Sequence, residues 1–566
     1  MTRNSDQVKK AVARAPQRTL LRALGLDSRD IARPFIGVAN SWNETVPGHI
    51  HLDKLGAEVK RGISDAGGTP FEFNTIGICD GLAMGHAGMH ASLPSRELVA
   101  DSVELMARAH GFDAIVLIAS CDKIVPGMLM AACRIDLPAI MLTGGAMAYG
   151  EHKGQVVDLI SVFEGVAKVE AGTISEADLE ELEACACPGA GSCAGMFTAN
   201  TMACLTEALG LSLPGCACAL ALSEEKPRLA YESGKAIMAL LDKDLKPSDI
   251  LNAKSFENAC RVDMALGGST NTALHLPAIA YEAGVEFGLT EFDEISRTTP
   301  HLCSMSPGGP MRMSHLFEAG GVGAVMKRLE ASLHLDAGAV AGGSIASYLP
   351  DQVPAVEAFD QPVIHSLDQP VHEQGGLAVL KGNLAPQGAV VKAAAVNEDM
   401  MTHQGPARCF ACEEDAVAAY GDGVIQPGEV VVVRYEGPAG GPGMREMLAL
   451  TSLISGGPLD GKVALVTDGR FSGGSRGAAI GHVSPEAAQG GPMALIEDGD
   501  IISIDIPGRQ IELLVDDEVL AQRKAKWKAP AQKFTRGALA RYAALVTSAA
   551  TGAVLRDNPQ EQGKEK

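Results

Sequence analysis

Basic and aromatic side chains are what this chain has little of. Its 566 residues carry 47 Lys and Arg against 69 Asp and Glu, a formal net charge of −22. With no basic stripe anywhere, nucleic acid and anionic membranes are excluded as main partners, because both reward clustered positive charge. No apolar run is long enough to span a bilayer, and Met1-Thr2-Arg3-Asn4-Ser5-Asp6 lacks the hydrophobic stretch of a secretory signal. The expectation is a cytoplasmic protein. Only 2 Trp and 7 Tyr stand beside 64 Gly, which points to many tight turns and close backbone approaches. Thirteen cysteines in such a chain read as small buried hydrophobes and metal ligands rather than disulfides.

The length is too great for one core, so two or more domains are expected. Residues 35 to 150 alternate β-rich runs with helical ones. The runs are Phe35–Asn40, Phe71–Ile78, Ala114–Ser120 and Ala139–Thr143, with a helical stretch at 95 to 110. That alternation predicts βαβ units in a parallel sheet. Residues 155 to 285 and 314 to 333 read as mainly helical. From 348 to 372 the composition shifts to Pro, Gln and Asp, as a connection between domains does. Beyond it Val430–Tyr435 and the pair Ile501–Ile506 and Ile511–Val515 predict a small barrel or sandwich. The expected division is an α/β domain over residues 1–350, a mainly β, barrel-like domain over 365–555, and a disordered tail from 556 to 566. No internal repeat is visible.

Chemistry concentrates in a few segments. Cys121-Asp122-Lys123 follows an apolar strand and precedes a helix, so a soft thiolate and a hard carboxylate stand together where open α/β sheets bind ligands. An iron–sulfur iron and a divalent cation such as Mg²⁺ suit those two donors; the bland alternative is a buried cysteine beside a solvated ion pair. Cys79-Asp80 lies after another strand. The run from Cys187 through Cys193 to Asn200 is a glycine-rich turn entering a helix, which would place Cys193 near free N–H groups that stabilise a thiolate. Glu436–Met447 and Thr467–Gly477 are glycine-rich loops after strands.

Taken together these segments resemble the dihydroxy-acid dehydratase family, in the broader group that includes 6-phosphogluconate and sugar-acid dehydratases. The likeness runs over roughly residues 30 to 550. It rests on Cys121–Met128, Gly191–Asn200, Gly440–Met447 and Asp468–Gly474. The resemblance implies an α/β domain followed by a β-barrel domain, closing on one site, in a homodimer or dimer of dimers. It implies that Cys121 and Cys193 ligate an iron–sulfur cluster. Asp80, Asp122 and Glu446 would hold Mg²⁺, with Lys123 as an N6-carboxylysine adding an oxygen, and Ser472 would be the base. The implied reaction removes water from (2R)-2,3-dihydroxy-3-methylbutanoate and its 3-methylpentanoate homologue, in valine and isoleucine biosynthesis. Two Lewis acids suit the two halves of that reaction: Mg²⁺ on the carboxylate and C2 oxygen, an open iron on the C3 hydroxyl. A sugar-acid or 6-phosphogluconate dehydratase is the alternative within the same chemistry. An iron–sulfur sensor without turnover is the alternative outside it.

One departure stands out. [2Fe-2S] relatives carry a cysteine in a Thr-Pro-Cys-Asn run, whereas this chain has Gly48 there, within Thr45-Val46-Pro47-Gly48-His49. Cys79 is then the first candidate for the third cluster ligand, Cys187 the second, and His49 a further one, and a [4Fe-4S] cluster fits as well as [2Fe-2S]. Elsewhere Cys409-Phe410-Ala411-Cys412 has no second pair and reads as structural, as do Cys185, Cys216 and Cys218. Gly267–Asn271 reads as a helix cap that also lines the substrate site. His86, His275 and His482 read as structural histidines within reach of substrate.

Overall fold

Six apolar residues, Ala114–Ala119, form the centre of the first sheet because no position among them asks for water: all six are buried. The structure, a computed structural model, describes residues 3–352 and 363–556. In it β1 (Phe35–Asn40), β2 (Thr69–Asn74), β3 (Ala114–Ala119) and β4 (Ala139–Thr143) form a parallel sheet in the order β2-β1-β3-β4. Helices cover it, among them Leu52–Asp65, Ser92–His110 and Ile124–Ile135, and one continuous apolar core joins them to the sheet. Sheets covered on both faces have uniformly buried strands, which is why β1, β3 and β4 show no alternation, while β2 at the edge is only partly buried.

The second half is built on an eight-stranded sheet. Its strands are β5 (Ala378–Leu380), β6 (Gly388–Val391), β7 (Thr402–Phe410), β8 (Val430–Val433), β9 (Ala464–Thr467), β10 (Ala479–Ser484), β11 (Ile501–Asp505) and β12 (Gln510–Leu513). Their order is β12-β11-β7-β8-β9-β10-β6-β5. The ends nearly meet: Lys381, just after β5, donates its N–H to Arg509 O at 3.0 Å and accepts from Ile511 N at 3.1 Å, bringing the outer strands into barrel-like closure. Val430 and Val432 point into the barrel with Ala464, Val466 and Ile480. Val431 and Val433 point outward under Leu450 and Ile454 of the helix Ala449–Ser455. The β7-β8-β9-β10 ladder is parallel, so this domain, like the first, presents the carboxyl ends of parallel strands.

Several expectations shift locally. The run expected from Phe71 to Ile78 leaves the sheet after Asn74, where its partner β1 ends at Asn40. The helical stretch 314 to 333 divides into Met313–Glu318 and Gly321–Arg328, parted at Gly320, whose φ of +99° no helix accommodates. Residues 150–157 form a short antiparallel pair before the helix that starts at Leu159. The expected connection begins inside a helix, Ile345–Gln352; its residues 353–362, and the tail 557–566, lie outside the described residues.

Candidate functional site

The carboxyl ends of β2 and β3 and the loops after β8 and β9 converge on one set of acidic and basic side chains. Cys121-Asp122-Lys123 forms the turn between β3 and the helix Ile124–Ile135, and Asp80 opens the short helix Asp80–Ala83 after β2. From the barrel, Glu446 and Arg470 lie side by side because Glu446–Met447 and Arg470–Phe471 pair in parallel. Asp468 fixes that geometry: its carboxylate accepts N–H groups from Tyr435 (3.2 Å), Glu436 (2.9 Å) and Ala487 (3.0 Å), tying the two loops together.

Lys123 is the hub. Its buried Nζ lies 2.7 Å from Asp80 Oδ2, 2.9 Å from Glu446 Oε2 and 3.7 Å from Asp122 Oδ2. Arg470, fully buried, sits 2.7 Å from Glu446 Oε2 and also donates to Asn271 Oδ1. One carboxylate oxygen from each of Asp80, Asp122 and Glu446 lies within 4.8 Å of the others. Asp80 Oδ2 accepts from Ser92 Oγ at 2.7 Å, while Asp80 Oδ1 is buried without a protein partner. Burial pushes Asp122 upward to about 7, against the pull of Lys123. Burial acts the same way on Glu446, but Lys123, Arg470 and the Ser472 hydroxyl together hold it below the usual carboxylate range. Burial and Arg470 push Lys123 down; Asp80, Glu446 and Asp122 outweigh them and raise it.

Three thiols adjoin this cluster. Cys79 and Cys193 are both electrostatic neighbours of Cys121, and Cys79 is also a neighbour of Cys193. Burial raises all three, with nearby acidic groups adding to it. Cys193 therefore departs from expectation: the helix begins only at Thr198, so no helix N-terminus stabilises its thiolate. Its loop is shaped by Asn200, which donates to Cys193 O and to Gly195 O (2.7 Å) and accepts from Ser192 Oγ (2.8 Å). At Gly191, φ is +135° and a Cβ would lie 2.2 Å from Met147 N, so only glycine fits. A Cβ at Gly48 would lie 2.7 Å from Cys121 Sγ, so the position where [2Fe-2S] relatives carry cysteine faces this thiol directly. His49 is engaged at both nitrogens: Nδ1 with Ser41 O (2.7 Å), Nε2 accepting from Cys121 N (3.1 Å). Cys187 is exposed but acts electrostatically on Cys193.

Ser472 sits in the turn after Phe471, where its Oγ accepts from Gly474 N at 3.2 Å, and its hydroxyl helps to hold the Glu446 carboxylate low. Sequence reasoning missed Asn271 as a direct contact. Its side chain does not cap the helix Thr272–Ala283 but donates to Thr198 Oγ1 (2.9 Å) and accepts from Arg470. His482 is buried with neither ring nitrogen partnered, at a φ of +58°, and burial lowers it to about 3. His275 bonds Arg96 through Nδ1 at 3.3 Å and leaves Nε2 unpartnered. His86 instead bonds Leu82 O at 2.9 Å on the exposed surface. Cys409 lies against Ile496 O at 3.8 Å and Cys412 precedes a helix. All thirteen cysteines are free.

A carboxylate-rich centre lies between an α/β domain and a β-barrel, with a serine from the barrel at its edge, the arrangement of a two-domain enzyme. The family description dihydroxy-acid/6-phosphogluconate dehydratase matches twice, its N-terminal part over residues 33–348 and its C-terminal part over 362–553, and the chain belongs to this family. It is 58% identical over 548 residues to dihydroxy-acid dehydratase 1 of Methanosarcina acetivorans, covering 97% of this chain and 99% of the relative. It is 57% identical to dihydroxy-acid dehydratases of Methanosarcina barkeri (97% of this chain, 100% of the relative) and Pyrococcus abyssi (98% and 100%). Among the described residues no helix is long and apolar enough to cross a membrane.

Proposed function

We propose that this chain is a dihydroxy-acid dehydratase, converting (2R)-2,3-dihydroxy-3-methylbutanoate to 3-methyl-2-oxobutanoate, and the 3-methylpentanoate homologue likewise, in valine and isoleucine biosynthesis. Relatives of that name, matched over almost their whole length, support the reading. The observation that carries it is the meeting of Ser472 and Glu446, from the barrel, with Asp80, Asp122 and Lys123 from the α/β domain. The domains divide between about residues 350 and 365.

Asp80, Asp122 and Glu446 would hold Mg²⁺, with Lys123 as N6-carboxylysine supplying a further oxygen. The donors fit: three convergent carboxylates include a buried oxygen, Asp80 Oδ1, with no other partner. Cys121 and Cys193 would hold an iron–sulfur cluster, with Cys79 as the third ligand in place of the cysteine absent at Gly48. Soft thiolate donors suit iron, and either [2Fe-2S] or [4Fe-4S] is compatible with three of them. When bound, these groups supply the Lewis acidity that makes the C2 proton removable and the C3 hydroxyl a leaving group.

The protein's own part begins at Ser472, whose hydroxyl would first have to lose its own proton, a state that only an adjacent cation makes accessible, so that its Oγ, as an alkoxide, would take the C2 proton and return to the hydroxyl. The Gly474 N–H fixes that oxygen, and the pairing of Arg470–Phe471 with Glu446–Met447 fixes the loop. Positioning of this kind lowers the barrier because the reacting atoms need not be brought together at the moment of reaction. A cytoplasmic homodimer is part of the proposal; thirteen free cysteines accord with a reducing compartment.

The test is turnover of 2,3-dihydroxy-3-methylbutanoate, gluconate and 6-phosphogluconate by anaerobically prepared enzyme, with Ser472→Ala beside it. Fastest turnover of the first is expected, with the variant at least ~10³-fold slower and its visible cluster absorption intact. Faster turnover of either sugar acid would overturn the substrate, and an active variant would overturn the base.

A further inference from the structure

Lys392 follows β6 and is 7% exposed, yet it forms none of the ion pairs expected of a buried cation: among the described residues no carboxylate lies within 4.0 Å of its Nζ. Instead Nζ donates to two backbone carbonyls, Met196 O at 3.2 Å and Gly473 O at 3.4 Å. Met196 belongs to the loop that carries Cys193, and Gly473 follows Ser472. An ammonium has three N–H donors and these bonds account for two. The third has no protein acceptor of its own.

The surroundings say what it faces. Lys392, Thr270, Ser472 and Ser475 line one small, partly open cavity of about 10 Å³, room for roughly a single water. Ser475 is occupied with Thr451 at 3.0 Å. Gly477, at the cavity's edge, also lines a neighbouring cleft of about 220 Å³ bounded by Pro307, Gly308 and Arg476, which gives an approach from the surface. Glycine at 473 keeps the walls together: a Cβ there would lie 2.9 Å from Ser269 Oγ and 3.1 Å from Thr198 N. A buried cation without a counter-ion is costly unless an anion joins it, and burial accordingly pushes this ammonium down to about 7, with only the more distant Asp263 opposing.

We propose that Lys392 binds the substrate's carboxylate, its free N–H and positive charge anchoring the acid end of a 2,3-dihydroxy acid beside Ser472. This rests on the dehydratase reading above and adds a specificity-determining contact to it. Lys392 is thus a binding residue for the acid group, and the bonds to Met196 O and Gly473 O aim its ammonium.

The test uses calorimetry on the holoenzyme with two probes, 3-methyl-2-oxobutanoate and its neutral primary amide. Lys392→Gln, which keeps N–H donors, and Lys392→Met, which keeps the chain length, remove the charge; Lys392→Arg retains it. The acid should bind at least ~30-fold more weakly to Lys392→Gln and Lys392→Met, the amide within about threefold of wild type, and Lys392→Arg should keep most acid affinity. The visible cluster spectrum should be unchanged in all three. Equal losses for acid and amide would reveal a merely structural role and overturn the proposal, as would unaltered acid binding. A wild-type enzyme unable to dehydrate the 2,3-dihydroxy acid would instead sink the dehydratase reading. Normal wild-type turnover with Lys392→Gln unaffected would sink this inference alone.

Discussion

The two halves of the candidate site are built on opposite electrostatic plans. On one side Asp80, Asp122 and Glu446 surround Lys123, and Arg470 backs Glu446, so the protein supplies its own counter-charges. On the other, Cys79, Cys121 and Cys193 lie beside one another and beside acidic groups, and burial raises every one of them. The carboxylate half is therefore organised as it stands, whereas the thiol half is neutral until something cationic enters. The difference teaches where stability resides. A buried ion cluster loses much when one partner is removed, because the remaining charges stay desolvated. A neutral thiol is a small hydrophobe that loses little.

The comparison breaks most easily at Lys123. In metal-free protein, Lys123→Met leaves three carboxylates facing one another, and denaturant unfolding should show a loss of about 3–5 kcal/mol; a loss under about 1 kcal/mol would mean that Lys123 does not compensate them. A smaller effect is expected at His49, whose neutral ring receives the Cys121 N–H. Burial lowers it from an ordinary value of 6.5 to about 4. Because the folded value is the lower one, its contribution is fully present above pH 6.5. It is lost as pH falls toward 4, by up to about 3 kcal/mol. The stability difference between wild type and His49→Gln should shrink over that window, and a constant difference would show that His49 does not titrate with folding. The smallest effect belongs to Cys193→Ser: metal-free stability should move by no more than about 1 kcal/mol, while iron bound after anaerobic reconstitution should drop sharply. Undiminished iron would remove Cys193 from the cluster's ligands.

Much of this architecture was legible from residue patterns. Ala114–Ala119 reads as a buried strand because it has no polar position, and Val430–Val433 for the same reason. What the pattern could not tell was the company those strands keep. Nothing local in Val430–Val433 says that alternate valines serve two cores, one inside the barrel and one beneath a helix. The break at Gly320 was visible as a Gly-Gly pair yet read through as helix. The segment Gly267–Asn271 reads as a helix cap, and Ser269 Oγ does accept the Asn271 N–H at the helix start; what could not be read was that Arg470 and Thr198, remote in sequence, claim the Asn271 side chain.

The motifs by themselves determined the chemical types at the site and the family they resemble, since thiolate, carboxylate and glycine-rich turn each have a local meaning. Only the tertiary structure decided the pairings. Glu446 lies 323 residues from Lys123 along the chain, and Met196 lies 196 from Lys392. A desolvated cation takes whichever partner the packed domains place within a few ångströms, a distance set by how β-barrel and α/β sheet close on each other and by nothing in either segment alone.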